Sequence, residues 1–353
     1  METALGSGRG PRERALVLVA GSGRSGTSLF TGILQRLGFH VPQPEVPADE
    51  TNPRGFAESQ WVVDFHTRLL KRAGVQVADA QPAAWAQTAD VALDEEVQRE
   101  LRRWLAAQYH ETDDVIVKDP RLSWFLPLWR RCAEDVGAAP RVVTVLRHPA
   151  AVIRSKQRSY GGWQGDVGRT AGWVNLLLFT ERATRDTPRL FVRYDDLLDD
   201  WTQTIGRVGE ALDLAAIRDA PATSIRNAHD FLDRSLSRSQ ADWEGFAIPA
   251  ALQRLADDVW ELVSRLADDT PDAAAIVDRL DAARASYIAL YEEAEAIAQS
   301  SIQASSRRRP AVASAPAPTP AIRLIRRVPK RYRRRIPHRW RALVVRTIRG
   351  TRR

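Results

Sequence analysis

The sequence has few residues that could form covalent or metal cross-links: its 353 residues include one cysteine, Cys132. A single cysteine excludes an intramolecular disulfide framework and a cysteine-based zinc site, and it suits a reducing compartment. Long apolar runs are also missing. The first 14 residues contain no apolar core of a signal peptide, and residues 15–20 are far too short to span a bilayer. The sequence therefore predicts a cytoplasmic protein without a transmembrane helix.

Acidic residues are absent from one end of the chain. Residues 301–353 contain 17 of the 52 Lys and Arg residues and no Asp or Glu. Residues 1–300 contain the other 35 basic residues and all 44 acidic ones. The formal net charge of +8 thus comes from a basic tail on an acidic body. The overall charge is therefore no reason to expect a nucleic-acid-binding fold.

Short apolar runs alternate with helical patterns along the body. The run at 15–20 leads into the glycine-rich stretch 21–26 and a helical pattern that ends at Gly38, as in a phosphate-binding βα unit. Further strands are predicted at 115–117, 142–146 and 190–192, and helices at 61–73, 93–109, 149–160 and 172–183. This alternation predicts a three-layer α/β fold, in which a P-loop-like parallel sheet has helices on both faces.

Composition divides the chain into five segments. They are a flexible N-terminus at 1–13, the main α/β domain at 14–245, a helical extension at 246–304, a Pro/Ala linker at 305–320 and a basic amphipathic tail at 321–353. The extension carries an apolar stripe of Leu252, Leu255, Val259, Leu262 and Leu266. The stripe predicts helices packed on the core, and a homodimer interface is the alternative.

Residues 21–28, GSGRSGTS, match the Walker A pattern G-x-x-x-x-G-K-[ST] except at its lysine. Thr27 occupies the lysine position, and Arg24 supplies a cation inside the loop instead. Backbone N–H groups and the helix dipole can still bind an anion here. A degenerate P-loop kinase or NTPase is one alternative, with 115–119 as its Walker B strand, although the missing lysine counts against it.

Two motifs together resemble the family of sulfotransferases that depend on 3′-phosphoadenosine-5′-phosphosulfate (PAPS). Arg24–Ser28 is similar to the family's 5′-phosphosulfate loop, [KR]-[SG]-G-[TS]-[TS]. Arg147, at the end of the predicted strand 142–146, and Ser155 resemble its 3′-phosphate motif. The resemblance covers roughly residues 14–240. It implies a P-loop-fold enzyme of the bacterial, carbohydrate-type branch, with PAPS as the donor substrate and no metal.

The resemblance also implies the residues that bind the donor. They are Gly23, Arg24, Ser25, Gly26, Thr27, Ser28, Arg147, Ser155, Arg234 and Arg238. The last two belong to a late basic loop, 231–238, that resembles a donor-closing loop of some members. The R-K-G-x-x-G motif of cytosolic members is absent from this chain.

Two further segments imply the catalytic residues. Residues 52–58, NPRGFAE, and 117–121, VKDPR, resemble segments of bacterial members. They imply Glu58 as the base that takes the acceptor's proton, and Lys118, together with Arg24, as cations at the leaving group. The alternative bases are Glu45, Glu50 and His66.

No motif identifies the acceptor, so only its class is expected. Loop 41–56 and the helix at 61–73 are expected to shape its pocket. The tryptophans that could stack on sugar faces are Trp61, Trp85, Trp124 and Trp129. A carbohydrate, a glycolipid or another hydroxylated metabolite fits these features.

The basic tail contains a tandem repeat. Residues 326–333, RRVPKRYR, and 334–341, RRIPHRWR, match as R-R-[VI]-P-[KH]-R-[YW]-R. This composition suits an anionic membrane surface, with Tyr332 and Trp340 at headgroup depth. We expect peripheral attachment at the inner face of the cell membrane. Nucleic acid is the less favoured partner, and a non-catalytic protein that works through this tail is the remaining alternative.

Removing the tail is expected to abolish membrane attachment, because each cation near an anionic surface contributes about 1 kcal/mol. The full-length protein should sediment with vesicles that contain anionic lipid and should dissociate at high salt. A chain that ends at Ala304 should stay in the supernatant. Equal sedimentation of the two proteins, or a preference for nucleic acid over vesicles at physiological salt, would contradict this role.

Overall fold

The protein is described here by a computed structural model. The described ranges are 13–160, 164–232, 241–268 and 272–308. The basic tail, most of the predicted linker, and both Arg234 and Arg238 lie outside them. The chain divides into two units, residues 1–293 and residues 294–353.

Four parallel strands form the sheet, in the order β2-β1-β3-β4. Their bounds are β1 Arg14–Ala20, β2 Asp114–Lys118, β3 Ala138–Leu146 and β4 Arg189–Arg193. All four predicted strands are confirmed, but β3 begins earlier than its apolar run suggests. Residues 138–141 of β3 pair with β1 alone, because pairing with β4 begins at Val142. Such an edge tolerates Pro140, which has no N–H to donate.

Helices make up most of the remaining described residues. Their bounds are α1 Thr27–Arg36, α2 Gln60–Ala73, α3 Ala84–Ala92, α4 Glu95–Gln108, α5 Leu126–Asp135, α6 Pro149–Tyr160, α7 Asp166–Ala183, α8 Tyr194–Asp199, α9 Trp201–Ala211, α10 Ala215–Arg218, α11 Ala222–Phe231, α12 Ala250–Arg265 and α13 Ala273–Arg308. The four predicted helices correspond to α2, α4, α6 and the later part of α7. In the described ranges, no helix is both long and apolar enough to cross a membrane.

The apolar side chains form two clusters, one on each face of the sheet. Along β1, Leu16 and Leu18 belong to the first cluster, whereas Val17 and Val19 belong to the second. Successive side chains of a strand point to opposite faces, so the two clusters lie on opposite sides of the sheet. Helices α2, α4, α5, α7 and α12 contribute to the first cluster, and α1, α9 and α11 to the second. The predicted three-layer α/β fold is confirmed.

The apolar stripe after residue 246 is part of the first cluster. Leu252, Leu255, Val259 and Leu262 are buried in α12, and Leu266 is partly buried against the same cluster. Helix α12 lies against α7. The predicted helical extension therefore shares its hydrophobic core with the sheet. This is the core packing that the stripe predicts.

Candidate active site

A cleft of about 870 Å³ lies where the parallel strands end. Parallel pairing brings the carboxyl ends of the strands to one edge, the usual ligand position in open α/β sheets. The charged residues among its described lining are Arg24, Arg54, Lys118, Arg121, Arg147, Arg158, Glu50 and Glu58. Six cations against two carboxylates make this cleft suited to an anionic ligand.

The predicted phosphate loop connects β1 to α1 along this cleft. Gly26 is the N-cap of α1 and has a φ of 94°, in the left-handed region that favours glycine. A Cβ on Gly26 would lie 2.2 Å from the Tyr194 ring, so this position also needs a residue without a side chain. Tyr194 therefore packs directly on the loop. Tyr194 also lines the cleft, and no local sequence pattern indicates that position.

Arg24 joins the two predicted anion motifs. Its Nε donates to the Ser155 hydroxyl oxygen at 3.1 Å, and its Nη1 donates to the Thr51 carbonyl oxygen at 3.2 Å. Nη1 of Arg147 donates to the Arg24 carbonyl oxygen at 3.2 Å. The structure thus brings Arg24, Arg147 and Ser155 together, although more than 120 residues separate Arg24 from the other two.

Tyr194 and Arg158 lie beside Arg147 in the lining of the cleft. The Arg147 guanidinium lies 4.3 Å from the centre of the Tyr194 ring, a cation–π contact. Burial lowers the pKa of Arg147, Tyr194 and Asp195 oppose that effect, and the charges of Arg24 and Arg158 add to it. Arg158 follows Ser155 by three residues on α6, so the two share a helix face. This helical spacing could have identified Arg158 from the sequence.

Glu58 and Lys118 form a buried ion pair beside the loop. Nζ of Lys118 donates to Glu58 Oε1 at 2.5 Å, to the Ser28 hydroxyl oxygen at 2.9 Å and to the Phe56 carbonyl oxygen at 3.0 Å. Burial raises the pKa of Glu58, and the charge of Lys118 opposes but does not cancel that effect. The two predicted catalytic residues therefore touch each other and the phosphate loop, and Glu58 has more basicity than an exposed carboxylate.

The alternative carboxylates occupy different positions. Glu50 lies in the cleft lining and is exposed. Glu45 accepts hydrogen bonds from Gln35 at 2.7 Å and from Gln43 at 3.0 Å, outside the described lining of the cleft. Glu58 is the alternative that both lines the cleft and contacts a buried cation.

His66 is fully buried, and the structure does not bring it into the cleft. Its Nε2 accepts a hydrogen bond from Nε1 of Trp129 at 2.8 Å. An indole N–H only donates, so the lone pair of Nε2 is occupied and the ring proton is on Nδ1, which faces Asp119 at 3.3 Å. This geometry contradicts His66 as the base, because neither nitrogen can receive a proton from a ligand in the cleft.

Asp119 links this buried histidine to Arg121 in the cleft wall. Its carboxylate accepts from Nη1 of Arg121 at 3.0 and 3.1 Å and from the Arg121 backbone N–H at 2.7 Å. Burial alone would raise the pKa of Asp119, but the contact with His66 and the charge of Arg121 hold that pKa below its usual value. In the described part of the chain, no group of three or more His, Cys, Asp or Glu residues could hold a metal ion.

The predicted acceptor region is only partly at the cleft. Residues 50–54 and Phe56 line it, whereas none of the described lining residues belongs to α2. Trp124 and Trp129 are buried in the first cluster, and Trp61 and Trp85 pack against it. These four tryptophans are therefore absent from the described walls of the cleft, and they stabilise the core instead.

Lys118→Met is expected to lower the free energy of unfolding by about 3–5 kcal/mol, because Glu58 then loses the cation that balances its buried charge. The same change should raise the pKa of Glu58 further, since Lys118 lowers it. The control is the double variant Glu58→Gln/Lys118→Met, which should recover much of the lost stability. Urea denaturation measures both effects. Equal stabilities of the single and double variants would show that the two groups are not coupled.

Residues 17–219 match the family model described as "Sulfotransferase family". No curated protein matches the chain. Similar solved structures include the sulfotransferase domain of the Synechococcus PCC 7002 olefin synthase (TM-score 0.42, 18% identity, 73% of this chain and 96% of that one). A second is the sulfotransferase domain from the curacin biosynthetic pathway (TM-score 0.40, 14% identity, 72% of this chain and 99% of that one). A third is a sulfotransferase of Mycobacterium tuberculosis H37Rv (TM-score 0.37, 16% identity, 70% of this chain and 77% of that one). These structural likenesses are weak, and the assignment depends on the family model. Because that match spans more than half of the chain, the chain belongs to the sulfotransferase family and is an enzyme with sulfotransferase activity.

Proposed function

We propose that this enzyme transfers the sulfuryl group of PAPS to a hydroxyl group of an acceptor. One observation carries the proposal: Arg24 of the phosphate loop contacts Ser155, and Arg147 contacts Arg24, in the cleft that also contains the Glu58–Lys118 pair. A donor with phosphates at both ends of its nucleoside needs two anion sites at a fixed separation. A transfer reaction also needs a base and a cation next to one of them.

Each end of the donor has a chemically suitable set of groups. The N-terminus of α1 and the amides of loop 21–26 suit the 5′-phosphosulfate. Arg147, Ser155 and Arg158 suit the 3′-phosphate, because guanidinium groups present paired donors to phosphate oxygens. Lys118 contacts Ser28 of the loop, so a cation stands at the end of the donor where negative charge develops on the leaving phosphate.

In the proposed reaction, the acceptor hydroxyl oxygen attacks the sulfur in line. The new O–S bond forms as the bond from sulfur to the bridging phosphate oxygen breaks, and 3′-phosphoadenosine-5′-phosphate (PAP) leaves. Glu58 takes the hydroxyl proton, and the burial that raises its pKa makes it a stronger base. Lys118, which neutralises Glu58 in the ligand-free enzyme, stabilises the charge on the bridging oxygen.

The kinase alternative is disfavoured by the position of Asp119. A Walker B carboxylate must reach a magnesium ion beside the phosphates. The Asp119 carboxylate is instead fully buried, bonded to Arg121 and facing His66. Thr27 also stands where an NTPase has its lysine.

For the acceptor we propose a carbohydrate, a glycolipid or a hydroxylated metabolite of similar polarity. Polar residues of the loop, Thr51 and Asn52 among them, line the cleft together with the aromatic residues Phe56 and Tyr160. Rings beside hydrogen-bonding groups suit a polyhydroxylated ligand. Attachment of the tail to an anionic membrane would bring the enzyme to a lipid-linked acceptor.

Arg147→Ala is expected to weaken PAP binding by about 1.5–3 kcal/mol, through the loss of a charge-assisted phosphate contact. Ser155→Ala should cost less, because it removes a neutral hydroxyl. Arg68→Ala is the matched control, since Arg68 is exposed on α2 and pairs with Glu100. Isothermal titration calorimetry measures all four proteins. PAP affinity that is unchanged in Arg147→Ala would remove this residue from the donor site.

Glu58→Gln is expected to lower turnover by about two to four orders of magnitude through the loss of the proton acceptor. PAP binding should be retained, because Lys118 keeps its bonds to Ser28 and Phe56. Turnover is measured as PAP release from PAPS, with an acceptor selected from sugars and glycolipids. Glu45→Gln is the control and should turn over normally. Normal turnover in Glu58→Gln, together with a loss in Glu50→Gln, would assign the base to Glu50.

A further inference from the structure

Lys156 lies beneath the phosphate loop, and the predicted donor site did not include it. It follows Ser155 on α6, but its ammonium points to the underside of the loop and donates to the Ser22 hydroxyl oxygen at 3.1 Å. Lys156 is buried, and Ser22 is 1% exposed. Neighbouring residues of one helix thus hold the loop at two points, Ser155 through Arg24 and Lys156 through Ser22.

The ammonium of Lys156 has no acidic partner among the described residues. The bond to Ser22 is the one hydrogen bond that the described structure gives it. Arg169 of the neighbouring helix α7 is another buried cation, and its charge acts on Lys156. Nη1 of Arg169 lies 3.8 Å from Oδ1 of Asp166. Burial, and then the charge of Arg169, lower the pKa of Lys156 to about 8.

A buried cation without an anion is costly to the free protein. An anionic ligand on the cleft side of the loop could balance this charge. Attraction between charges decreases slowly with distance in a low-dielectric interior, so a phosphosulfate on the loop would act on Lys156 through Ser22 without touching it. Neither Met nor any other uncharged side chain could supply this attraction.

We propose that Lys156 is a positioning residue of the donor site: it holds Ser22 and the loop in place, and its charge is balanced when an anionic phosphate occupies that loop. This inference rests on the proposed function, because it takes the 5′-phosphate end of PAPS as the balancing anion. The loop would then select for the charge of the donor as well as for its shape.

The proposal has a measurable proton signature. A bound phosphate raises the pKa of Lys156 above its value in the free enzyme, so binding near pH 8 takes up protons. The affinity for PAP should therefore decrease as the pH rises above about 8. The phosphates of PAP contribute no protons here, since their second pKa values are near 6.

The test is titration of the full-length enzyme with PAP by calorimetry, between pH 7 and 9 and in buffers of different ionisation enthalpy. Wild type should take up protons at pH 8. Lys156→Met should bind PAP at least about tenfold more weakly at pH 7 and should lose the proton uptake. Lys71→Met is the matched control, because Lys71 is exposed on α2, and it should behave as wild type in both respects.

The melting temperature separates this role from a structural one. Met fills a similar volume without a buried charge, so Lys156→Met should melt at the same temperature as wild type or higher. A lower melting temperature, or PAP binding with wild-type affinity and proton uptake, would overturn the proposal. Wild-type enzyme that fails to bind PAP would overturn the proposed function itself, and the role of Lys156 with it.

Discussion

The hydrogen bond from Arg24 to Ser155 is the contact on which the site depends. It ties the loop after β1 to the helix after β3, so that the two elements proposed to bind the donor's phosphates face one cleft. Parallel pairing of β1 and β3 makes this contact possible, because both strands end at the same edge of the sheet. Gly26 lets the loop pack against Tyr194, whose ring occupies the space that a side chain at position 26 would need.

Charge balance is the second constraint on the site. The Glu58–Lys118 pair is neutral as a unit, whereas the remaining wall of the cleft is mainly cationic. The buried carboxylate of Asp119 balances the charge of Arg121. His66 lies next to this carboxylate and accepts a hydrogen bond from Trp129. The unbalanced positive charge is therefore left on the side where the donor's phosphates are proposed to bind.

The sequence predicted those parts of the site that follow from local pattern. Residues 21–28 combine a strand, glycines and a helix start in consecutive positions, so both the fold and the loop could be inferred from them. Arg147 and Ser155 could be assigned to one phosphate site, because Arg147 follows a predicted strand and Ser155 lies eight residues later on the predicted helix. The sequence left Glu58 and three alternative bases open, because side-chain burial depends on segments far apart in the chain.

The residues that sequence reasoning missed or misjudged depend on contacts distant in the sequence. His66 was a candidate because cytosolic members of the resembled family use a histidine base, but its partner Trp129 is 63 residues away. Tyr194 starts a helix, and nothing local shows that its ring packs on Gly26. Lys156 looks like an ordinary helical lysine until its contact with Ser22, 134 residues earlier, is known.

The most direct measurement is the affinity of the full-length enzyme for PAP compared with ATP and magnesium, each titrated alone and in competition. We expect PAP to bind in the absence of any divalent metal and to displace ATP, because the described cleft lining is mainly cationic and Asp119, the carboxylate at the Walker B position, is buried and bonded to Arg121. Tight, magnesium-dependent binding of ATP with no binding of PAP would contradict the account.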